Sequence, residues 1–286
     1  MRRAAFTLLE LIFVIVIMGI LAKFGVEFLS QAYKNFLFSS INAALQSQSE
    51  AAVETIASRL QYRIKDSIIA RESGGGFSAL AGYTAGSAEI LEWIGTDIDG
   101  LRGNSMPLWS GVINLGLSGA TMLKSPETNT TAIDNFIDTL SYGDSGINNA
   151  AIYFIGSDSD INNYGWNGTA LADHNTSVMH RINAGANIDE FVSGIGVDFN
   201  STDIYEYYQL AWSAYAVVHS NDGNLTLYYD YQPWEGESYT SGKSQLIMEN
   251  VDTFRFKAIG SIVKIQVCVK TDLVEEYSLC KEKTVF

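Results

Sequence analysis

The stretch "RRAAFTLLELIFVIVIMGILAKF", residues 2–24, joins a basic start to a long apolar run that contains one acid, Glu10. As a helix, the run from Phe6 to Ala22 would be about 25 Å long, near the short end of what spans a bilayer. A cleaved secretory signal is disfavoured, because no clear small-x-small site follows the run. The stretch therefore predicts a membrane helix that stays with most of the chain.

Orientation follows from the two arginines that precede the run. Because positive charge favours the cytoplasmic side, Arg2 and Arg3 predict a cytoplasmic amino terminus and an exported remainder. In a bacterium this means a single-pass protein of the inner membrane, in contact with membrane lipid, with its carboxy-terminal domain in the periplasm.

The ordered motif that starts at Ala5, A-FTLLELIFVIVIMGILA, resembles the amino-terminal segment of type IV pilins and type II secretion pseudopilins. In that family a prepilin peptidase cuts before a phenylalanine and methylates the new amine. The resemblance implies cleavage between Ala5 and Phe6 and N-methylation of Phe6. It also implies that Glu10 acts in filament assembly by pairing with the terminal amine of a neighbouring subunit. The alternative is an acid near the interface that reaches the lipid headgroups.

Two residues depart from the family pattern. Ala5 replaces the glycine that is usual before the cut, which implies less efficient cleavage. Glu27 stands where many pilins have a helix-breaking proline, so the helix need not bend there.

Helical periodicity continues beyond the membrane, and Gly74 to Gly76 provide a stop. We therefore expect the helix to run to about Arg71. Apolar residues recur at three- and four-residue steps at Phe38, Ile41, Ala44, Leu45, Ala52, Val53, Ile56, Leu60, Ile64 and Ile68. The chain's own domain is the expected cover for this stripe.

The predicted fold class is α+β and pilin-like: a long N-terminal α-helix, membrane-spanning in its first half, packed against a C-terminal β-rich globular domain. The expected divisions are a leader peptide (1–5), a transmembrane and assembly helix (6–26), its periplasmic continuation (27–72) and the β-rich globular domain (73–286). The last part is long enough for one sizeable domain or for a core domain with a large insertion.

A β-hairpin is predicted in residues 211–234, where two apolar and aromatic runs flank the turn cluster 221–224. Between roughly 72 and 200, Gly, Asn, Asp, Ser and Thr separate short apolar bursts. This composition indicates short strands joined by long loops.

A second hairpin is predicted in the tail, residues 261–286, where apolar and polar residues alternate so that one face is buried and one is wet. Cys268 and Cys280 fall on the polar faces of its two strands and could meet across it. A disulfide between these two exported cysteines is the economical interpretation. By closing the loop between them, it would contribute roughly 3 kcal/mol to the stability of the fold in the chain-entropy model. Two free thiols or metal ligation are the alternatives, although no histidine lies nearby to complete a zinc site.

Charge is uneven along the chain. Residues 1–71 carry 8 basic and 5 acidic side chains, whereas the rest carries 10 and 27. Within 72–242 the only basic residues are Arg102, Lys124 and Arg181. This region is therefore a poor phosphate-binding surface, and we expect no nucleic-acid partner.

A calcium loop is the strongest cofactor candidate. Asp158, Asp160 and Asn162 have the alternate spacing of an oxygen-ligand loop, but the glycine and the glutamate expected later in such a loop are missing. Asp97 and Asp99 make a weaker pair. We expect no metal site and no cofactor, with calcium as the alternative.

Enzymatic motifs are not found: the sequence has no nucleophile elbow, phosphate loop, dinucleotide fingerprint or zincin pair. His174 and His180 are the candidate bases of an enzyme, but their polar surroundings favour solvated loop side chains. His219 is likewise expected to be exposed. We therefore expect no catalytic residues and no enzymatic activity.

The functional expectation is a structural subunit, processed by prepilin peptidase, that joins other pilin or pseudopilin subunits on an inner-membrane assembly platform. Its length and its acidic domain favour a minor subunit near the tip, although Glu10 argues against the tip subunit that lacks this glutamate. A minor pilin of a type IV pilus and a minor pseudopilin of type II secretion, a protein-transport machine, both fit. The alternative is a membrane-anchored periplasmic binding or adhesion domain outside any filament.

Overall fold

The computed structural model describes residues 7–157, 160–270 and 278–286. It has one long N-terminal helix and a C-terminal β-rich domain of antiparallel sheets, which is the α+β class expected. The helices are α1 (Leu8–Leu60), α2 (Ile98–Arg102) and α3 (Thr130–Ser141). The strands are β1 (Ile69–Arg71), β2 (Phe77–Ala79), β3 (Ile90–Gly95), β4 (Leu123–Lys124), β5 (Ala151–Phe154), β6 (Met179–Ala184), β7 (Glu190–Ser193), β8 (Tyr208–Ala211), β9 (Ser213–His219), β10 (Leu225–Tyr229), β11 (Lys243–Met248), β12 (Val251–Ile259), β13 (Ile262–Lys270) and β14 (Ser278–Val285).

Helix α1 ends at Leu60, so the expected continuation to about Arg71 is wrong. The apolar spacing does continue to Ile64 and Ile68, but these side chains are buried in extended backbone. The Ile64 N–H donates to the carbonyl of Ile94, and the Ser67 hydroxyl accepts from the Ile94 N–H. Pairing with β3 thus replaces the next helical turn, because sheet contacts override local periodicity.

A six-stranded sheet in the order β11-β10-β9-β3-β1-β2 forms the centre of the domain. Alternation along β3 sends Leu91 and Trp93 into one core and Ile90 and Ile94 into another. Both faces of the sheet are therefore covered. The first core is shared with the inner end of α1 and with a three-stranded sheet, β12-β13-β14.

Both predicted hairpins are confirmed. Strands β9 and β10 pair antiparallel across a turn in which Gly223 has a φ of +80°. Strands β13 and β14 also pair antiparallel, and Val263, Ile265, Val267 and Val269 point into the core. Alternation was a sufficient signal for β13 because its apolar side chains share one buried face. The β9–β10 hairpin was instead signalled by its two apolar runs and the turn between them.

Residues 96–212 form an insertion between β3 and β9. It carries a five-stranded sheet, β4-β7-β6-β5-β8, and its own core around Phe191 and Tyr208. Helix α3 in this insertion contradicts the expectation of strands and loops alone. Its signals were present: Asn129 caps the helix through the Ala132 N–H, and Ile133 and Ile137 lie four residues apart on its buried side.

Candidate assembly helix

Glu10 has a partner within its own chain. Thr7 is the N-cap of α1, and the Thr7 N–H and hydroxyl both donate to Glu10 Oε2 at 3.0 Å. The Glu10 N–H in turn donates to Thr7 Oγ1 at 3.3 Å, which completes a capping box. Two helix-end donors that lipid could not satisfy are thereby paired, and the acid lies at the positive end of the helix dipole.

The outer part of α1 exposes apolar side chains on all sides. Of the described residues, α1 is the one helix long and apolar enough to cross a membrane. Between Leu8 and Leu21 the side chains include Leu9 at 78% exposed and Phe13 at 67% exposed. A helix that is apolar all round needs an apolar environment on every side, which water does not supply.

Exposed apolar residues continue past the charged positions Lys23 and Glu27. Those two side chains form an i,i+4 ion pair at 3.9 Å, where a helix of about 20 apolar residues would leave the lipid. Beyond them, large apolar side chains remain exposed at Phe28, Leu29, Tyr33, Phe36 and Leu37. The chain's own domain therefore covers less of the stripe than the sequence suggested.

The inner end of α1 is held by the domain. Ala52, Val53, Ile56, Ala57 and Leu60 are buried in the first core. On the outward side of the same segment, Lys281 pairs with Glu50 at 2.6 Å and Lys283 pairs with Glu54. The helix is thus anchored to β14 by both apolar packing and ion pairs.

Protein-family models, curated proteins and solved structures were compared with the chain, and none of them matches it. The resemblance to pilins consequently rests on the amino-terminal residues themselves. Ala5 and Phe6, where cleavage and methylation are expected, lie outside the described residues. Glu10 is the one predicted assembly residue whose surroundings the structure describes.

The predicted disulfide is present. Cys268 and Cys280 are directly opposed on β13 and β14, and their sulfur atoms are bonded at 2.07 Å. This pairing replaces the alternatives of free thiols and metal ligation. The bond ties β14, which packs on α1, to the central strand of its sheet.

The prediction that His174 and His180 are solvated loop side chains is wrong. His174 and His180 are each only 2% exposed, and their Nδ1 atoms lie 3.4 Å apart. His174 also hydrogen-bonds Ser193 Oγ at 2.9 Å. Burial lowers the pKa of His174 to about 4 and that of His180 to about 3, so both rings are neutral at pH 7.

His219 is half-buried rather than exposed, and its Nε2 hydrogen-bonds the Val251 carbonyl at 2.9 Å. Each of the three histidine rings thus has a partner supplied by the tertiary fold. The polar sequence around His174 and His180 gave no sign of this, because β6 and the loop before it turn inward.

The candidate calcium residues have structural partners where they are described. Asp160 accepts from the backbone and side-chain amides of Asn162, whereas Asp158 lies outside the described residues. Asp97 is buried, caps α2 through the Gly100 N–H and accepts from Trp109. Within residues 7–157, 160–270 and 278–286, no three His, Cys, Asp or Glu side chains group as metal ligands would.

Proposed function

We propose that this chain is a structural subunit, a minor pilin or pseudopilin, that assembles through α1 into a type IV pilus or a type II secretion pseudopilus. The observation that carries the proposal is the exposed apolar surface from Phe28 to Leu37. This surface lies beyond the length that a bilayer covers and outside the reach of the domain. Exposed apolar patches of this kind usually mark an interface.

The partners follow from this role. Prepilin peptidase removes residues 1–5 and methylates Phe6 on the cytoplasmic face, and the inner-membrane platform then delivers the subunit to its neighbours. Thr7 and Glu10 both remain in a chain that starts at Phe6, so trimming preserves the capping box. Function consists of assembly, without catalytic turnover.

The deciding measurement is the intact mass and amino-terminal sequence of the protein from its native membrane, with and without prepilin peptidase. We expect a chain that starts at methylated Phe6 only when the peptidase is present. An unprocessed Met1 chain in both samples would overturn the proposal in favour of the anchored domain.

Photo-crosslinking tests the surface directly. A photoreactive residue at Phe36 should capture a second pilin-type subunit, whereas the same residue at Leu117, which is 62% exposed on the insertion, should not. Capture of lipid alone at Phe36 would argue for an anchored domain outside a filament.

Substitutions at Glu10 and Thr7 distinguish a role in filament assembly from a role in helix capping. Glu10→Gln keeps an acceptor for the capping box, because glutamine also serves at this position, but it removes the charge that would pair with a neighbour's amine. Thr7→Ala weakens the cap and keeps the carboxylate. We expect Glu10→Gln to abolish filament incorporation and Thr7→Ala to permit it, whereas the reverse pattern would make Glu10 a capping residue only.

A further inference from the structure

A cleft of about 590 Å³ lies where the inner end of α1 meets the six-stranded sheet and the insertion. Tyr62 comes from the chain just after α1, Tyr142 from the end of α3 and Tyr215 from β9, so all three parts contribute to its walls. Its volume lies within the range of small-molecule sites, which favour junctions of this kind.

Aromatic rings dominate the walls. Tyr142 is 84% exposed and has a φ of 58°, which turns the chain at the end of α3. Tyr215 lies so close to Gly95 that a Cβ there would be 2.5 Å from the ring, so the absence of a side chain makes room for it. Five rings line the cleft in all: Tyr62, Tyr142, Trp212, Tyr215 and Tyr229.

The charges that line the cleft balance. Arg59 and Arg102 oppose Asp97 and Asp99, although residues 72–242 as a whole are strongly acidic. Arg102 donates to the Tyr62 hydroxyl at 2.6 Å, which fixes its planar group at the wall. A strongly acidic or basic ligand would meet as much repulsion as attraction here, so the lining favours a neutral ligand.

Polar groups remain available beside the rings. Thr96 also lines the cleft, and its Oγ1 is buried within the wall without a hydrogen-bond partner among the described residues. The amides of Gln61 and Gln245 add donors and acceptors at the margin.

We propose that this cleft binds a neutral oligosaccharide. Sugar rings present flat C–H faces and a rim of hydroxyls, which match aromatic walls interspersed with guanidinium, amide and hydroxyl groups. The rings would stack on Tyr142 and Trp212, and their hydroxyls would bond Arg102 and the amides of Gln61 and Gln245. This binding activity goes beyond filament assembly and does not depend on it.

The test uses the full chain in a detergent without a sugar headgroup, so that the detergent does not compete. The probes are neutral di- to tetrasaccharides of glucose, galactose, mannose and N-acetylglucosamine, with sialyllactose as the acidic comparison. Binding is measured by calorimetry and by tryptophan fluorescence. We expect at least one neutral oligosaccharide to bind and sialyllactose not to bind.

Two variants locate the site. Tyr142→Asn removes an exposed ring and keeps a residue that tolerates positive φ, and it should weaken binding about tenfold or more. Arg102→Gln should also weaken binding. Tyr207→Asn removes a ring that is 55% exposed outside the cleft, and it should bind like the wild type.

Near-UV circular dichroism checks that each variant is folded. Three results would overturn the proposal: no neutral oligosaccharide binds, only the acidic sugar binds, or both cleft variants retain wild-type affinity. Each of these can occur whether or not the chain is processed before Phe6, so the result stands apart from the filament proposal.

Discussion

The two ends of α1 differ in what surrounds them. From Leu8 to Leu21 large apolar side chains are exposed on every side, whereas from Ser49 to Leu60 six residues are buried and the rest are exposed. The inner end has polar residues such as Glu54 and Arg59 on its outward face. Packing against the domain on one side is therefore enough to bury the apolar residues of this segment.

Between Leu8 and Leu21 the outer end has no such polar face, so protein on one side alone could not cover it. Its cover must surround the helix, as lipid or a bundle of other helices does. One continuous helix thus combines a segment that packs in the core of the domain with a segment whose side chains lie outside that core. Substitutions at the two ends should therefore have separable effects.

The largest expected effect comes from the same substitution at both ends. Leu60→Ala removes a side chain that is 0% exposed in the first core, and it should lower the free energy of unfolding by about 2–5 kcal/mol. Leu37→Ala, at 40% exposed, should leave the unfolding of the domain nearly unchanged. Urea unfolding of both variants, followed by tryptophan fluorescence, measures the difference. Equal losses would show that the domain depends on both ends of the helix.

The disulfide should come next. Replacing Cys268 and Cys280 together with serine should lower the free energy of unfolding by roughly 3 kcal/mol, because the cross-link restricts the unfolded chain. The loss should appear in the domain and should spare the helicity of the outer end. Denaturant titration measures both effects, with tryptophan fluorescence reporting on the domain and far-UV circular dichroism reporting on the helix. Loss of the far-UV signal at a lower denaturant concentration than the tryptophan signal would contradict the independence of the two ends of α1.

Lowering the pH should destabilise the domain, which contains the buried histidines, and should not act in this way on the outer end of α1, which contains no histidine. Because the folded-state pKa values of His174 (about 4) and His180 (about 3) lie below 6.5, the unfolded chain takes up protons first. The domain should therefore lose stability as pH falls from about 6.5 to about 5, and the net loss over this range should be on the order of 2 kcal/mol once the opposite contribution of Asp97 is included. Asp173 and Arg181 are the charged groups that act on His174, with opposite signs.

The variant His180→Gln isolates the contribution of this ring, because glutamine does not titrate. Between about pH 7 and about pH 4.5, the unfolding free energy of the variant should therefore change less than that of the wild type. Asp97 acts in the opposite direction, since burial raises its pKa to about 6 and its folded form takes up a proton early. A variant whose pH dependence equals that of the wild type would exclude His180 as a cause.

The smallest effect is expected for the ion pairs that join α1 to β14. Lys283→Ala breaks the pair with Glu54, whose side chain is 49% exposed. Exposed pairs contribute less than about 1 kcal/mol, so unfolding should change little and the change should shrink further in salt. Thermal unfolding in low and high salt measures it, and a large salt-insensitive loss would mean that the lysine stem packs on the helix.

The elements that could be predicted were those whose signal is local. The apolar run of α1, the turn of the β9–β10 hairpin and the alternation of β13 each follow from a few neighbouring residues. One failure was local, because α3 was missed although its cap at Asn129 and its apolar spacing were present in the sequence. The other failures were long-range. Leu60 ends α1 because β3 captures the chain that follows, and His174 and His180 are buried because the insertion closes over them.

The cleft shows the same limit. Tyr62, Tyr142 and Tyr215 are far apart along the chain, and no spacing in the sequence connects them. Each ring looked like an ordinary strand, loop or helix residue. Only the meeting of α1, the insertion and the central sheet places them around one space.

The sequence by itself determined the membrane-length helix, the two tail strands and the possibility of the disulfide, because apolar burial and alternation act over a few residues. It also provided the motif around Glu10 on which the proposed function depends. The tertiary structure alone decided where α1 leaves the domain, which histidines lose water and which aromatic rings form a cleft. These outcomes depend on contacts between distant segments, which local residue patterns do not encode.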